Sequence, residues 1–409
     1  MKLPAVLAPL RHRDFRLLLT GQTVSSFGNS ISNIAVPFQL LAIGGSPLQL
    51  GITVAIETAS AVAFLLLGGA IADRWQRRTL ILVSDAVAGV VLAIVALLSA
   101  SGTLRVEHLY LAAAALGAAE AFLSPAFNAI IAELVPGEIL RAGNAARLLS
   151  RSAARILGPT GGGLVVAFVS PAAAFGVDAL TFLFSFATLL LAHPDKRTAA
   201  ASTSIVAEIR EGFGYVFRYR WLWTTTVYFM LVNVAYAGQS GVMTPLLVLD
   251  TLGGDARVFG FVNSAYGVGT IAAGVMVAQL GMRRPGRVMF AFEVLAAVAV
   301  LAIGLVPTLP VVLASMIVMG IALSGSTVIW QSLLQRLVPA HVQGRVTSID
   351  LLGNSVINPL APLIAAALIG PVGPPGTFVI AGIYALALVS IAVIASPLPN
   401  MEEAAFTAA

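Results

Sequence analysis

The chain contains no cysteine and few charged residues among its 409 positions. Without cysteine it can form neither disulfides nor thiolate centres. Only 10% of its residues are charged, whereas an average soluble domain carries about 25%. With 58% hydrophobic residues and a mean hydropathy of +0.95, the chain cannot cover itself with polar surface, so a lipid bilayer must be part of its surroundings.

The lack of metal-ligand, catalytic and nucleotide-binding motifs argues against several other classes of protein. The four histidines lack the spacing of metal ligands, so we predict no metal and no cofactor. There is no nucleophile–base pair and no nucleotide-binding loop, which argues against an enzyme. A net charge of +5 could suit a nucleic acid. The basic residues are instead split among short loops, as orientation signals are, and we expect no nucleic-acid partner.

Long apolar runs dominate what remains. Each is close to or above the ~20 residues that a helix needs to cross a bilayer. The sequence therefore predicts an all-α membrane protein with twelve transmembrane helices, over 17–43, 47–72, 79–99, 107–134, 141–169, 171–192, 220–249, 256–281, 288–306, 309–336, 342–369 and 375–396.

The orientation of these spans follows from where lysine and arginine lie, because cytoplasmic loops carry an excess of both. Outside span 5, one side of the predicted membrane holds only Arg105 and Arg257. The other side, which also holds both termini, carries Lys2, Arg11, Arg13, Arg16, Arg74, Arg77, Arg78, Arg141, Lys196, Arg197, Arg210, Arg218, Arg220, Arg283, Arg284, Arg287, Arg336 and Arg345. We expect both termini in the cytoplasm and the protein in the bacterial inner membrane.

The two halves of the chain repeat each other at a spacing of 203 residues. Leu134-Val135-Pro136 recurs as Leu337-Val338-Pro339, and Pro159 recurs as Pro362. A parallel repeat of this kind is typical of transporters built from two six-helix halves. We predict pseudo-symmetric bundles over 1–192 and 220–409, joined by a cytoplasmic linker over 193–219.

Polar residues recur at helical spacing in spans 1, 4, 7 and 10, which are the symmetry-related positions of the two halves. A polar stripe inside an apolar helix indicates either a hydrated cavity or hydrogen bonds between helices. We favour a substrate cavity lined by Gln22, Ser25, Asn29, Asn33, Ser124, Asn128, Asn233, Tyr236, Ser240, Ser324, Thr327 and Gln331.

Charged residues inside the spans are candidates for proton coupling. Glu57 and Glu120 lie deep in spans 2 and 4, where loss of water favours the protonated carboxyl. Arg151 and Arg155 share one face of span 5 with Arg147 and remain charged. Either these groups take part in proton exchange, with Arg155 as the counter-ion, or the acids and arginines form permanent ion pairs.

Three further acids lie within the spans. Asp85 and Glu293 lie a turn or two from charged loops, and we expect both to pair with the arginines there. Asp178, in span 6, receives no assignment from the sequence. Arg147 falls on Asp350 at the repeat spacing, and both are expected to stabilise the ends of their spans.

Two motifs carry a resemblance to a known family. Gly69, Asp73, Arg74, Arg77 and Arg78 form a G-x-x-x-D-R-x-x-R-R loop between spans 2 and 3, which resembles the signature of the major facilitator superfamily. The resemblance implies the twelve-helix fold, a central cavity lined by helices 1, 4, 7 and 10, and a gate at this cytoplasmic loop.

Span 5 adds a clue to direction. Its stretch from Ala154 to Gly163, with Gly158, Pro159, Gly162 and Gly163, resembles the antiporter motif of the superfamily and favours export. A hinge without directional meaning is the alternative, since proline and glycine both permit bending. The runs RDFRL at 13–17, SPL at 46–48 and SPA at 124–126 are similar to the bacterial efflux branch, which includes macrolide and enterobactin exporters.

Together these features predict a monomeric secondary transporter that exports small amphipathic molecules, as in multidrug efflux, in exchange for protons. An exporter of an endogenous metabolite such as a siderophore is the first alternative. A membrane receptor or scaffold without transport is the second, although the sequence offers no large soluble signalling region for it.

Overall fold

The computed structural model describes residues 5–72, 76–192, 213–280 and 282–401. Within these ranges the fold is helical and contains no strand. The long helices, α1 to α12 in chain order, are Arg13–Ala42, Pro47–Ala72, Arg77–Ala100, Val106–Leu134, Leu140–Phe168, Pro171–Leu190, Arg220–Tyr236, Ala256–Gln279, Pro285–Leu305, Leu309–Leu337, Ala340–Val356 and Leu360–Ala395. The predicted all-α fold with twelve long helices is confirmed over this part of the chain.

The outer faces of the helices are apolar. Leu97 and Leu111 are each 71% exposed, and Ile394 is 84% exposed. Eight helical stretches in the described ranges are long and apolar enough to cross a membrane. Lipid is the solvent that suits such a surface, because water would leave this much exposed apolar area unfavourably hydrated.

Two predicted spans differ from the structure. Span 7 continues beyond α7 as two π-helical turns, Gln239–Met243 and Leu247–Thr251, with Thr244–Leu246 between them. Pro245 lacks the N–H that a regular α-helix would use here, which accounts for the local change in hydrogen bonding. Apolar periodicity alone cannot distinguish these turns from an ordinary helix.

Span 11 is interrupted where a continuous helix over 342–369 was predicted. α11 ends at Val356 and α12 begins at Leu360, because Pro359 disfavours helical backbone in the residue before it. α12 then continues through a kink at Gly373, whose φ of 71° favours glycine, before running to Ala395. The kink replaces the loop expected between spans 11 and 12.

The chain forms two compact units, each with its own core. The first unit is Met1–Ala200 with Gly254–Ser264, and the second is Ala201–Gly253 with Ala265–Ala409. In the first unit, α1 packs on α5 and α6, and α3 packs on α4 and α6. In the second, α7 packs on α11 and α12, and α9 packs on α10 and α12. The same pairs recur six helices later, as the sequence repeat predicts.

Glycines fix the closest helix crossings at equivalent places in the two units. A Cβ on Gly117 of α4 would collide with the backbone carbonyl of Glu57 in α2. A Cβ on Gly320 of α10, 203 residues later, would collide with the carbonyl of Tyr266 in α8. The glycine of each crossing therefore follows the 203-residue repeat, although its carbonyl partner does not.

Candidate functional site

The first unit encloses a cavity of about 270 Å³ between α1, α2, α3, α4 and α6. Most of its wall is apolar and includes Phe175 and Phe182. Three carboxylic acids interrupt this wall, and no lysine, arginine or histidine is among the lining residues. The polar lining residues are Asn29, Ser32, Asn33, Thr53, Glu57, Ser84, Glu120 and Asp178.

The three acids of the cavity differ in their surroundings. Asp178 of α6 is fully buried, whereas Glu57 is half-buried and Glu120 is exposed. The charge of Arg151 acts on Glu120. Among the described residues, the ion pairs closer than 4 Å are Arg77–Glu133 and Arg257–Asp255. The permanent ion pairs considered for Glu57 and Glu120 are therefore not formed in the described part of the chain.

The predicted span 1 residues divide into two groups. Asn29 and Asn33 line the cavity. Gln22 and Ser25 are buried and are not part of its wall. Gln22 was predicted to line a cavity, but its amide donates to Ser185 Oγ at 2.9 Å and to Asp85 Oδ2 at 3.3 Å. Gln22 therefore forms hydrogen bonds between helices, and its place in the predicted substrate cavity stays a prediction.

Asp85 has neutral partners where arginines were expected, and among the described residues the expected pairing is not formed. Its Oδ2 accepts from Ser185 Oγ at 2.7 Å in addition to the Gln22 amide. Arg77 donates instead to Glu133 at 2.6 Å, and Arg78 donates to the carbonyls of Leu189 and Leu190 at the end of α6. The two arginines thus fasten the start of α3 to α4 and α6.

Glu293 of the second unit also has a neutral hydrogen-bond partner. It is buried two turns inside α9, as Asp85 is in α3, and accepts a hydrogen bond from Tyr228 OH at 2.8 Å. Arg287 is directed elsewhere, to the carbonyl of Pro399 at 3.0 Å and to Asn400. In the described part of the chain, the expected pairing of Glu293 with that loop is therefore also not formed.

The arginines of α5 lie apart from the cavity wall. Arg147 donates to Asn128 Oδ1 and stacks over the ring of Phe127 at 5.7 Å. Arg151 and Arg155 are exposed. Asn128 is consequently a partner of Arg147, and neither Asn128 nor Ser124 is among the residues that line the cavity.

The predicted residues of the second unit are placed as follows. Asn233 donates to Asn354 Oδ1 at 3.1 Å, and Ser324 donates to Thr270 Oγ1 at 3.2 Å. Within the described ranges, Tyr236 OH is buried and has no hydrogen-bond partner. The exposed predicted residues are Ser240, Thr327 and Gln331. Asp350 accepts from Trp330 Nε1 at 3.1 Å and from Thr226 at 3.4 Å.

The glycines of the antiporter-like motif are sites of close packing. A Cβ on Gly158 would meet the Ser30 side chain, and one on Gly162 would lie 2.8 Å from Ile31 Cα, both in α1. A Cβ on Gly163 would meet the backbone of Ala256, which belongs to the same unit. Of the gate-loop residues, Gly69 lies in α2, while Asp73 and Arg74 lie outside the described residues.

Sequence reasoning missed part of the cavity. Thr53 and Ser84 line it but were not selected, because single hydroxyl residues inside apolar helices are common. Ser32, which also lines it, shares a turn of the span 1 polar stripe with the selected Asn33. Asp178 was visible as the one charged residue in span 6. That it lies in the same cavity wall as Glu57 and Glu120 could be learned only from how the helices pack.

A polar cavity enclosed by apolar helices, within a fold whose two units repeat the same helix pairs, defines a membrane transporter of the major facilitator type. Such a protein is not an enzyme. The chain belongs to the transmembrane secretion effector family of this superfamily, whose family model matches residues 4–409.

Characterised relatives cover nearly the whole chain. It is 27% identical over 399 residues to the multidrug efflux pump Tap of Mycobacterium tuberculosis (strain ATCC 25618 / H37Rv), covering 95% of this chain and 94% of Tap. It is 24% identical over 371 residues to the enterobactin exporter EntS of Escherichia coli O1:K1 / APEC, covering 88% of this chain and 86% of EntS.

Solved structures of transporters share the fold. A POT family transporter in complex with 5-aminolevulinic acid matches with a TM-score of 0.75 and 15% identity, covering 95% of this chain and 97% of that one. The nucleoside transporter NupG matches with a TM-score of 0.69 and 14% identity, covering 96% and 99%. At these identities the likeness extends to the fold alone.

Proposed function

We propose that the protein exports small amphipathic molecules across the bacterial inner membrane in exchange for protons. The observation that carries this proposal is the cavity of the first unit, where carboxyl groups interrupt an otherwise largely apolar wall. An apolar wall with a few polar groups suits an amphipathic molecule, and a carboxyl group in such surroundings can bind and release a proton. The relative Tap is a multidrug efflux pump.

Glu57 and Glu120 are the residues proposed to exchange protons during transport. Both line the cavity, and Arg151 is the cation whose charge acts on Glu120. Arg155, which was predicted as the counter-ion, and Arg151 are the two candidate counter-ions. The proposal includes a monomer with both termini in the cytoplasm, in keeping with the distribution of arginine among the loops.

Export of an endogenous siderophore is the second candidate, because the relative EntS exports enterobactin. An anionic ligand would favour a wall with positive charge. The cavity wall contains acids and no basic residue, and Arg151 and Arg155 are not part of it. We therefore favour an amphipathic substrate that carries no negative charge.

Transport in proteoliposomes tests the proposal. Purified protein is reconstituted, and ethidium flux is followed with and without an imposed pH gradient. We expect the gradient to accelerate ethidium movement out of the compartment that represents the cytoplasm. Glu120→Gln should lose this acceleration, whereas Glu107→Gln, an exposed acid in the first turn of the same helix, should keep it. A wild-type flux that ignores the gradient would rule out proton antiport.

Comparison of deletion and overexpression strains separates the two candidate substrates. A drug exporter should change the minimum inhibitory concentrations of several amphipathic drugs, in opposite directions in the two strains. A siderophore exporter should leave these values unchanged, and its deletion should deplete one metabolite from the medium.

A further inference from the structure

Asp178 is the most completely enclosed acid of the cavity. Its side chain is 0% exposed. One carboxyl oxygen, Oδ1, lies 3.1 Å from Thr181 Oγ1, one turn further along α6, and shares the proton of that hydroxyl with the backbone carbonyl of Asp178 at 2.7 Å. The other oxygen, Oδ2, is buried and has no hydrogen-bond partner among the described residues. Half of the carboxyl group is therefore unsatisfied.

The contact between α1 and α6 closes over this group. A Cβ on Gly28 of α1 would collide with both Asp178 Oδ1 and Thr181 Oγ1, so only glycine lets the helices approach this closely. One turn further along α1, the Ser32 hydroxyl lies beside Asp178. Ser32 Oγ is also buried and lacks a partner within the described ranges. Both residues line the cavity.

A carboxylate in this position would be poorly stabilised. Burying a charge without a paired cation or a full set of hydrogen bonds costs several kcal/mol. Within the described ranges Asp178 takes part in no ion pair, and its neighbours include the hydroxyls of Ser32 and Thr181. A proton on Oδ2 removes the charge and makes that oxygen a donor, which the Ser32 hydroxyl, a donor and an acceptor, can accept.

The other titratable groups of the unit that face the cavity or α6 do not supply the missing cation. Glu57 of α2 and Glu120 of α4 are acids that line the same cavity. Asp85 of α3 faces α6 through Ser185 and is occupied by its own hydrogen bonds. Arg78 of α3 donates to the carbonyls of Leu189 and Leu190, about three turns from Asp178 along α6. Arg147, Arg151 and Arg155 of α5 are not part of the cavity wall.

We propose that Asp178 is a proton-binding residue of the first unit, which holds a proton on Oδ2 against Ser32 and exchanges it with water in the cavity. When the proton leaves, the Oδ2–H bond breaks and its electron pair stays on the carboxylate, while a cavity water becomes hydronium. The reverse step restores the acid. Because this inference rests on the proposed proton exchange, Asp178 would act alongside Glu57 and Glu120.

Infrared absorption tests the protonation of Asp178 without any transport. The full-length protein in liposomes at neutral pH is compared with Asp178→Asn. We expect the wild type to show a carboxylic acid C=O band, shifted by deuterium oxide, that is missing from the variant. A difference spectrum that contains only carboxylate bands would overturn the proposal.

Ser32→Ala provides a second variant that keeps the acid in place. Removing the Ser32 hydroxyl, the proposed acceptor, should shift the Asp178 C=O band to the higher frequency of a free carboxylic acid. Ser26→Ala is the matched control, since the Ser26 hydroxyl donates to the carbonyl of Gln22 within α1, and it should leave the band where it is. A band that Ser32→Ala does not move would contradict the proposed hydrogen bond.

Ethidium flux in proteoliposomes then separates this proposal from the proposed function. Asp178→Asn should lose its response to an imposed pH gradient, while Glu107→Gln responds like the wild type. An Asp178→Asn variant that still responds would overturn the role of Asp178 and leave proton antiport intact. A wild type without a response would refute antiport, and the infrared comparison would still decide whether Asp178 holds a proton.

Discussion

Individual buried acids in this protein are held by neutral donors. Asp85 is bound by an amide and a hydroxyl, Glu293 by a phenol, and Asp350 by an indole and a hydroxyl. Neutral donors stabilise a carboxylate without bringing a second charge out of water, so the helices avoid a further desolvation cost. Asp178 departs from this pattern because one of its oxygens has no donor, which is why it is singled out for proton binding.

Replacing Asp85 tests how much such a network contributes to stability. Asp85→Ala leaves the Ser185 hydroxyl without its acceptor and the Gln22 amide with one fewer partner, and it should destabilise the protein by about 1–3 kcal/mol. Asp85→Asn keeps one acceptor oxygen and should lose less. Thermal melting of the detergent-solubilised protein measures both. Glu138→Ala, at an exposed acid outside the long helices, is the control and should melt like the wild type.

Asp255 caps the start of α8 and predicts a dependence on pH. Its Oδ1 accepts from the backbone N–H of Arg257 at 2.9 Å, and its Oδ2 accepts from Arg257 Nε at 2.8 Å. The hydrogen bond from the Arg257 side chain lowers the pKa of Asp255. A lowered pKa means that the ionised cap stabilises the folded state above the usual aspartate value and loses this contribution as the pH falls through its folded pKa.

Asp255→Ala should therefore destabilise the protein by about 1 kcal/mol at neutral pH and by less below about pH 4. Asp255→Asn keeps an acceptor but no charge, so its difference from the wild type should vanish in acid. Melting temperatures of the three proteins across this range, at low salt, provide the measurement. A wild-type advantage over Asp255→Asn that grows as the pH falls would show that the sign is wrong.

At the level of helices, close crossings depend on glycine at Gly117 and Gly320. Alanine at either position would place a Cβ against a backbone carbonyl that cannot rotate away. We expect Gly117→Ala and Gly320→Ala each to cost about 1–3 kcal/mol, as overpacking does. Melting of the purified variants measures the effect.

Two other glycines serve as controls for these crossings. Gly161 and Gly274 also lie inside helices, but a Cβ there would meet nothing within 4 Å. Alanine at these sites should be neutral or stabilise the protein by up to about 1 kcal/mol, because it favours helix more than glycine does. If all four variants melt alike, the close crossings do not depend on glycine.

The helices were largely predictable from sequence, whereas their irregularities were not. Apolar runs located the spans because bilayer thickness sets helix length. The π-helical turns after α7 and the interruption at Pro359 depend on single prolines whose effect on backbone hydrogen bonding is local. The partners of Asp85 and Glu293 also escaped prediction, because nearby arginines in sequence bind other helices in space. The Asp178 oxygen that lacks a hydrogen-bond donor could be recognised only from the packing of the side chains.

For the whole molecule, the repeat has a physical consequence for how the chain lies in the membrane. The helix pairs that pack together in the first unit have counterparts that pack together in the second unit, six helices later in the chain. We propose twelve crossings, an even number, which would place both chain ends on one side. Arginine-rich loops then alternate with loops poor in arginine, and the membrane potential and insertion machinery favour the arginine-rich side inside.

Single cysteines test this orientation directly, because the natural chain has none to remove. Ser101, between α3 and α4, and Thr251, before α8, are exposed and predicted to face outward. Gln76 and Glu138 are exposed in loops predicted to face the cytoplasm. A membrane-impermeant maleimide added to intact cells should label Ser101→Cys and Thr251→Cys at once, and Gln76→Cys and Glu138→Cys only after permeabilisation. The reverse pattern would place both termini outside, and labelling of Ser101→Cys together with Gln76→Cys would contradict a membrane crossing by α3.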